Sequence, residues 1–282
     1  MRFSAAIDRP ETLRDIAYAL SFIRKLCYLK LTESTISIVT ILDTSGTQAW
    51  VSLDTSSVLS NVTLKSLDND TINMELNIDF LFKALKSCSS AGVDDVHIRL
   101  RKRNQIPYLV ITIDRQTRVG NTSTIAQEIP VKMLRAEHVQ SIREPECPPA
   151  DVNLVLPYPL AGVQKISDRY RFLGSKVSFA GNTLGELRIG VENDNVRVDT
   201  KWRGLEVAHE EDGPAPEPSR DYAAVRIDAR DWWNVLKVQI VSRRMIASIC
   251  DGHALVVYAY VTGMESEQNG LLTYYMSSYT AG

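Results

Sequence analysis

Arg14, Lys25, Lys83, Lys86, Lys165, Arg169, Arg230 and Lys237 recur at spacings that set each of them opposite an apolar stripe. Rows of guanidinium and ammonium groups neutralise phosphates and release the counterions condensed on them, so the chemistry open to them is binding of a polyanion rather than bond making. No segment combines Asn or Gln with Arg in an arrangement that reads base edges, and the binding expected is therefore indifferent to base sequence. The bland alternative is solubilising charge, since an amphipathic helix with Lys outside is the commonest kind of helix.

Other chemistries find less support. No GxxxxGK[ST] loop is present, and Gly181 to Gly190, GNTLGELRIG, lies between strand runs and reads as a hairpin. His209, Glu210 and Glu211 imitate part of a metalloprotease motif but lack the second His. They sit in the acidic, Pro-rich segment 208–221, AHEEDGPAPEPSRD, which is expected to be a mobile loop. His97, His138 and His253 are far apart, and no nucleophile is paired with a base. No catalysis, cofactor or metal is expected. Cys27, Cys88, Cys147 and Cys250 form no CxxC pair, which favours free thiols in a reducing compartment. Asn61, Asn69 and Asn121 then match the glycosylation pattern by chance. No run approaches the roughly 20 apolar residues of a membrane span. The N-terminus turns polar too soon for a signal peptide, so the mature chain is expected to start here.

The elements that hold the cations are duplicated. Leu76 to Cys88, LNIDFLFKALKSC, returns 151 residues later as Ile227 to Gln239, IDARDWWNVLKVQ. Asn77 and Asp228 end strand-like runs and are placed to cap a helix's first N–H groups. Ile78, Leu81, Ala84, Leu85 and Cys88 share one side of the first helix, and Trp232, Val235, Leu236 and Ile240 one side of the second. Two further helices fit the pattern. One follows Pro10, with Leu13, Ile16, Ala17, Leu20 and Ile23 inward and Arg14, Tyr18, Ser21 and Lys25 outward. The other has Val163, Ile166, Tyr170 and Leu173 inward and Lys165, Asp168 and Arg169 outward. The four helical segments sum to +7 in a chain of net charge −2, leaving −9 elsewhere.

Strands are expected over Arg2 to Asp8, Tyr28 to Thr32, Thr35 to Leu42, Gln48 to Leu53, Val96 to Leu100, Tyr108 to Ile113 and Ser123 to Met133, with Arg101 to Arg103 as a basic hairpin tip. Residues 135–150 break the period with three prolines and read as a connector. The second half repeats the scheme, with strands at Val152 to Leu156, Lys176 to Ala180, Leu184 to Glu192, Asn195 to Trp202, Met245 to Ile249, Leu255 to Val261 and Leu271 to Met276. The expectation is an α+β protein of two duplicated domains, 1–134 and 151–282, each with two helices packed on antiparallel sheet.

The opening MRFSAAI, the block INMELNIDFLFKALKSC, EIPVKML before the connector and DVNLVLP after it carry a resemblance over nearly the whole length. The chain resembles the sliding-clamp fold of proliferating cell nuclear antigen, and more closely the Hus subunit of the nine-one-one checkpoint clamp. That resemblance implies a ring of six domains with helices lining the hole, a heterotrimer with two Rad-type partners, and a clamp loader that places it on duplex DNA at damage sites. It also implies repair and signalling clients, a nuclear location and no membrane. Subunit contacts are expected at two sheet edges: Ser123, Ile125, Ala126, Gln127 and Glu128 on one, and Glu186, Leu187, Arg188 and Ile189 on the other. A partner-peptide pocket is expected under the connector at Leu134, Val139 and Ile142. Departures from the family pattern are the 208–221 loop and the Trp232-Trp233 pair, whose second indole is expected partly outside the core. A homotrimeric replicative clamp is the near alternative. A duplicated α+β enzyme or protein-interaction domain is the remote one.

Overall fold

Polar caps start the helices of the repeat. In the computed structural model, Asn77 Oδ1 accepts from the Asp79 N–H at 2.9 Å, and Asp228 Oδ1 accepts from Arg230 and Asp231 at 2.8 and 2.9 Å. These bonds satisfy donors that the first helical turn leaves without partners. The residues described are all except 41–45, 68, 89–92, 117–121, 136, 138, 140–141, 210–217, 263–269 and 280–282.

The chain forms two compact units. The first comprises Met1–Ile41, Trp50–Glu144 and Gly263–Leu271, and the second Leu42–Ala49, Pro145–Thr262 and Leu272–Gly282. In the first unit the strands are β1 (Arg2–Ile7), β2 (Leu26–Leu31), β3 (Thr35–Thr40), β4 (Gln48–Asp54), β5 (Leu59–Lys65), β6 (Ile72–Asn77), β7 (Val93–Arg103), β8 (Ile106–Gln116) and β9 (Thr122–Met133). They lie side by side in the order β4-β3-β2-β6-β9-β8-β7-β1-β5. Helices α1 (Pro10–Ser21) and α3 (Ile78–Cys88) pack together, and a single turn, α2 (Thr55–Val58), leads into β5. Phe3, Ala5 and Ile7 of β1 alternate inward, while α1 buries Ile16, Ala17 and Leu20 and α3 buries Ile78, Leu81, Ala84, Leu85 and Cys88.

The second unit holds β10 (Val152–Val155), β11 (Lys176–Asn182), β12 (Glu186–Glu192), β13 (Arg197–Trp202), β14 (Ala223–Asp228), β15 (Ser242–Cys250), β16 (Ala254–Val261) and β17 (Gly270–Ser277). They form two sheets, β10-β15-β16-β17 and β13-β12-β11-β14. Helices α4 (Ala161–Leu173) and α5 (Ala229–Val235) pair as α1 and α3 do, and α5 tightens into a 3₁₀ segment at Leu236–Ile240. Gly185, at φ 77°, closes the β11–β12 turn, where a Cβ would stand 2.3 Å from the Leu205 carbonyl oxygen.

Several expectations change. Arg101 to Arg103 belong to β7, and the hairpin turns instead at Asn104 and Gln105, whose φ values of 50° and 66° match a two-residue type I′ turn. Ser167 takes the inward place expected of Ile166, and Leu173 is exposed at the helix end. The 3₁₀ segment rotates Ile240 off the buried stripe, leaving it 49% exposed. Most consequentially, β12 is not an edge. β11 and β13 pair with it on either side, and Leu187 and Ile189 are wholly buried, so the sheet ends at β13. The core of the 208–221 loop lies outside the described residues, but its flanks are tied: Ala208 donates to Asn153 and Ser219 to Thr183 Oγ1.

Candidate nucleic-acid interface

Six of the eight expected cations, Lys25, Lys83, Lys86, Lys165, Arg169 and Arg230, are exposed. On α3 the two lysines are displayed because Leu81, Ala84 and Leu85 claim the opposite side for the core. The other two are engaged within the protein. Arg14 Nε donates to Asp15 Oδ1 at 2.7 Å, which neutralises much of its charge locally. Lys237 Nζ stands 3.6 Å from the centroid of Trp233. Burial there pushes the ammonium pKa down, Asp168 opposes the shift and Arg171 adds to it.

Aromatic and guanidinium side chains complete each helix face. In the first unit Tyr18 turns onto Phe82, ring centroids 5.5 Å apart, and meets Phe22 edge-on at 4.9 Å. It is therefore part of the helix-pair contact rather than an outward stripe. In the second unit the Arg171 guanidinium bonds Asp168 at 2.7 Å and lies 4.1 Å over Trp233 and 4.4 Å over Phe172. The second indole of the Trp pair is accordingly half-buried, while Trp232 is fully enclosed and donates to Ser167 Oγ at 2.8 Å. The Trp-Trp doublet was the visible signal; Arg171 carried none.

Among the described residues β5 ends the first unit's sheet beside β1, and two further strands offer backbone to a neighbour. β9 is paired with β8 from Thr122 to Pro130, but β6 reaches only Val131 to Met133, so the part holding Ser123, Ile125, Ala126, Gln127 and Glu128 has a strand on one side alone among the described residues. β13 has β12 on one side and no described strand on the other. The other outer strands of the second unit are covered. Val155 and Asn153 of β10 bond to Glu206 and Ala208, and Ala224 and Arg226 of β14 bond to Gly252 and Tyr279. Behind β13, Glu186 accepts from Lys201 Nζ at 2.7 Å and from the Tyr222 hydroxyl, and these bonds hold its carboxyl down at about 2. Tyr170 of α4 reaches Thr200 of β13 at 2.7 Å, tying the helix face to the edge strand.

Leu134, Val139 and Ile142 are each half-buried, with Leu134 donating to the Asn73 carbonyl at 3.0 Å and Val139 to Arg135 at 3.3 Å. Three of the thiols are poor nucleophiles: burial pushes Cys27 up to about 12 and Cys88 and Cys250 up to about 11. Among the described residues no group of three His, Cys, Asp or Glu side chains could hold a metal, and no helix is long and apolar enough to cross a membrane.

A family model described as Hus1-like protein matches residues 1–280. Checkpoint protein hus1 of Schizosaccharomyces pombe is 33% identical, covering 99% of each chain, and the Dictyostelium discoideum checkpoint protein hus1 homolog is 25% identical over 98% of each. Checkpoint protein HUS1 of Homo sapiens is 23% identical over 73% of this chain and 74% of its own. The crystal structure of proliferating cellular nuclear antigen from Entamoeba histolytica superposes with a TM-score of 0.73 at 13% identity, covering 99% of both chains, so the fold is that of a sliding clamp.

Proposed function

The chain belongs to the Hus1-like family, and from that premise we propose that it is a non-catalytic subunit of a ring-shaped heterotrimeric checkpoint clamp that encircles DNA at damage sites. It supports checkpoint signalling and repair as a scaffold, in the nucleus. The observation that carries this reading is the pairing, in each unit, of exposed cations beside the helix pair with an uncovered strand: α3 and Lys25, which lies in the bend after α1 rather than on it as expected, with β9, and α4 and α5 with β13. A subunit of a closed ring needs both, one surface for the polyanion and one edge at each end for a neighbour.

On this reading the DNA-facing residues are Lys25, Lys83, Lys86, Lys165, Arg169 and Arg230, with Arg14 and Lys237 contributing through their local networks. The interfaces are the 122–130 part of β9 and β13, which takes the place first expected of β12. The clamp domains run over 1–134 and 151–282, and the connector between them covers a peptide site at Leu134, Val139 and Ile142. Two Rad-type subunits complete the ring, a loader opens it, and clients dock at the connector.

Light scattering of the purified chain, alone and mixed with two candidate clamp subunits, tests the assembly. A monomer that becomes an equimolar trimer only with both partners is the expected result. Self-trimerisation would replace this reading with the homotrimeric clamp, and a monomer under every condition would remove the ring altogether.

A further inference from the structure

Phe172 is the anomaly on the second helix face. Lys165, Arg169 and Phe172 follow at intervals of four and three residues, so they form one row along α4. The first two are exposed cations and the third is an aromatic ring 74% exposed at the end of the row. The ring has a defined support. The Arg171 guanidinium lies 4.4 Å from its centroid and is itself fixed by the bond to Asp168 at 2.7 Å and by Trp233 at 4.1 Å. Arg171 covers one side of the ring, and the other side faces outward.

We propose that Phe172 is a stacking platform for an unpaired nucleobase, which gives this subunit a preference for gapped or single-stranded DNA over continuous duplex. The inference rests on the DNA-encircling reading above and specifies which DNA that face favours. The chemistry discriminates between occupants. In intact duplex every base is stacked on its neighbours, so an exposed phenyl ring gains nothing beyond what Lys165 and Arg169 draw from phosphates. A base released from the stack has a bare π-face, and aromatic rings bordered by cations are how sequence-tolerant single-strand sites are built. An apolar protein groove would also accept a phenyl ring, but the two cations in the same row complement a polyanion. Because every base has a π-face, no sequence preference is expected.

The assembled ring is titrated with continuous duplex and with the same duplex carrying a short gap that contains 2-aminopurine. Wild type is expected to bind the gapped DNA more tightly and to quench the 2-aminopurine. Phe172→Ala should lose about tenfold in affinity for gapped DNA, relieve the quenching and leave duplex binding unchanged. Phe172→Trp should restore both, whereas Phe172→Leu, apolar but without a π-face, should not. Equal losses on both DNAs, no loss on gapped DNA, or full function in Phe172→Leu each overturn the platform. A wild-type ring that fails to hold continuous duplex is a separate outcome: it overturns the encircling reading, and the inference falls with it.

Discussion

Phe82 and Trp233 stand at the same position of the repeat, 151 residues apart, and each is covered by a side chain from the other helix of its pair. Tyr18 covers Phe82 at 5.5 Å, and Arg171 covers Trp233 at 4.1 Å. One site has thus been filled twice, once by an aromatic contact and once by a cation held over a ring. On the proposed reading the difference decides which charges remain available for DNA. On α3, Lys83 and Lys86 stay outside the aromatic contact, whereas in the second unit Arg171 and Lys237 are drawn onto the indole and Lys165, Arg169 and Arg230 are left to face outward.

Salt dependence follows from that division. Each phosphate neutralised contributes about −0.9 to the slope of log affinity against log salt. Changing Lys83, Lys86, Lys165, Arg169 and Arg230 to Glu should flatten the slope for duplex DNA and cut retention by the ring, with folding and assembly intact. DNA retention across a salt series reads this, and an unchanged slope would assign the stripes to solubility alone. Lys237→Glu should behave differently, lowering thermal stability because it sets a carboxylate against Trp233 and toward Asp168.

Proline scanning separates edge from interior. Successive residues of a strand turn their N–H groups to opposite sides, so of Val198 and Asp199 one donates toward β12 and the other outward. Proline at the outward position should block ring assembly while the melting temperature holds, and at the inward one it should lower the melting temperature. The same comparison at Ile125 and Ala126 tests β9. Ile189→Pro, inside the sheet and fully buried, should unfold the second unit rather than merely dissociate the ring.

Ser167 holds the second helix pair together through one oxygen. It accepts from the Trp232 indole at 2.8 Å and donates to the Val163 carbonyl at 2.8 Å. Ser167→Ala leaves a buried N–H without a partner and should cost about 1–3 kcal/mol in denaturant unfolding. In a Trp232→Phe background the donor is gone, so Ser167→Ala should cost less there than it does in the wild type.

Acid sensitivity should map to Glu186. Its carboxyl is held down, first by Lys201 and then by Tyr222, from 4.5 to about 2. A depressed carboxylate contributes stability that is fully present above its unfolded pKa and is lost as pH falls through the folded value. Glu186→Gln should therefore lower stability at neutral pH and flatten its decline between about 4.5 and about 2. A parallel acid limb in wild type and variant would show that another group governs it.

How far the sequence revealed this depended on whether the cause was local. The caps at Asn77 and Asp228 were legible because a cap bonds within three residues of itself, and the stripes of α1 and α3 because burial follows the helical period. Ser167 was missed because a hydroxyl that serves an indole 65 residues away looks polar in the local pattern. The edge was placed one strand too early because ELRIGVE and RVDTKW both alternate; which of them has a neighbour on each side is set by pairing with β11, outside either segment. Arg171 went unmarked for the same reason, its role arising only when α4 and α5 meet.

The charge order of β13 has a consequence for a subunit made in excess of its partners. Arg197, Asp199 and Lys201 recur at every second residue and therefore point to one face of the strand. If a second copy is laid antiparallel with Asp199 opposite Asp199, Arg197 falls opposite Lys201 on both sides of the centre. Every charged pair in that register is repulsive, and like charges directly opposed across strands destabilise the pairing. On the proposed reading, that register disfavours pairing of the open strand with a second copy of itself without covering the edge.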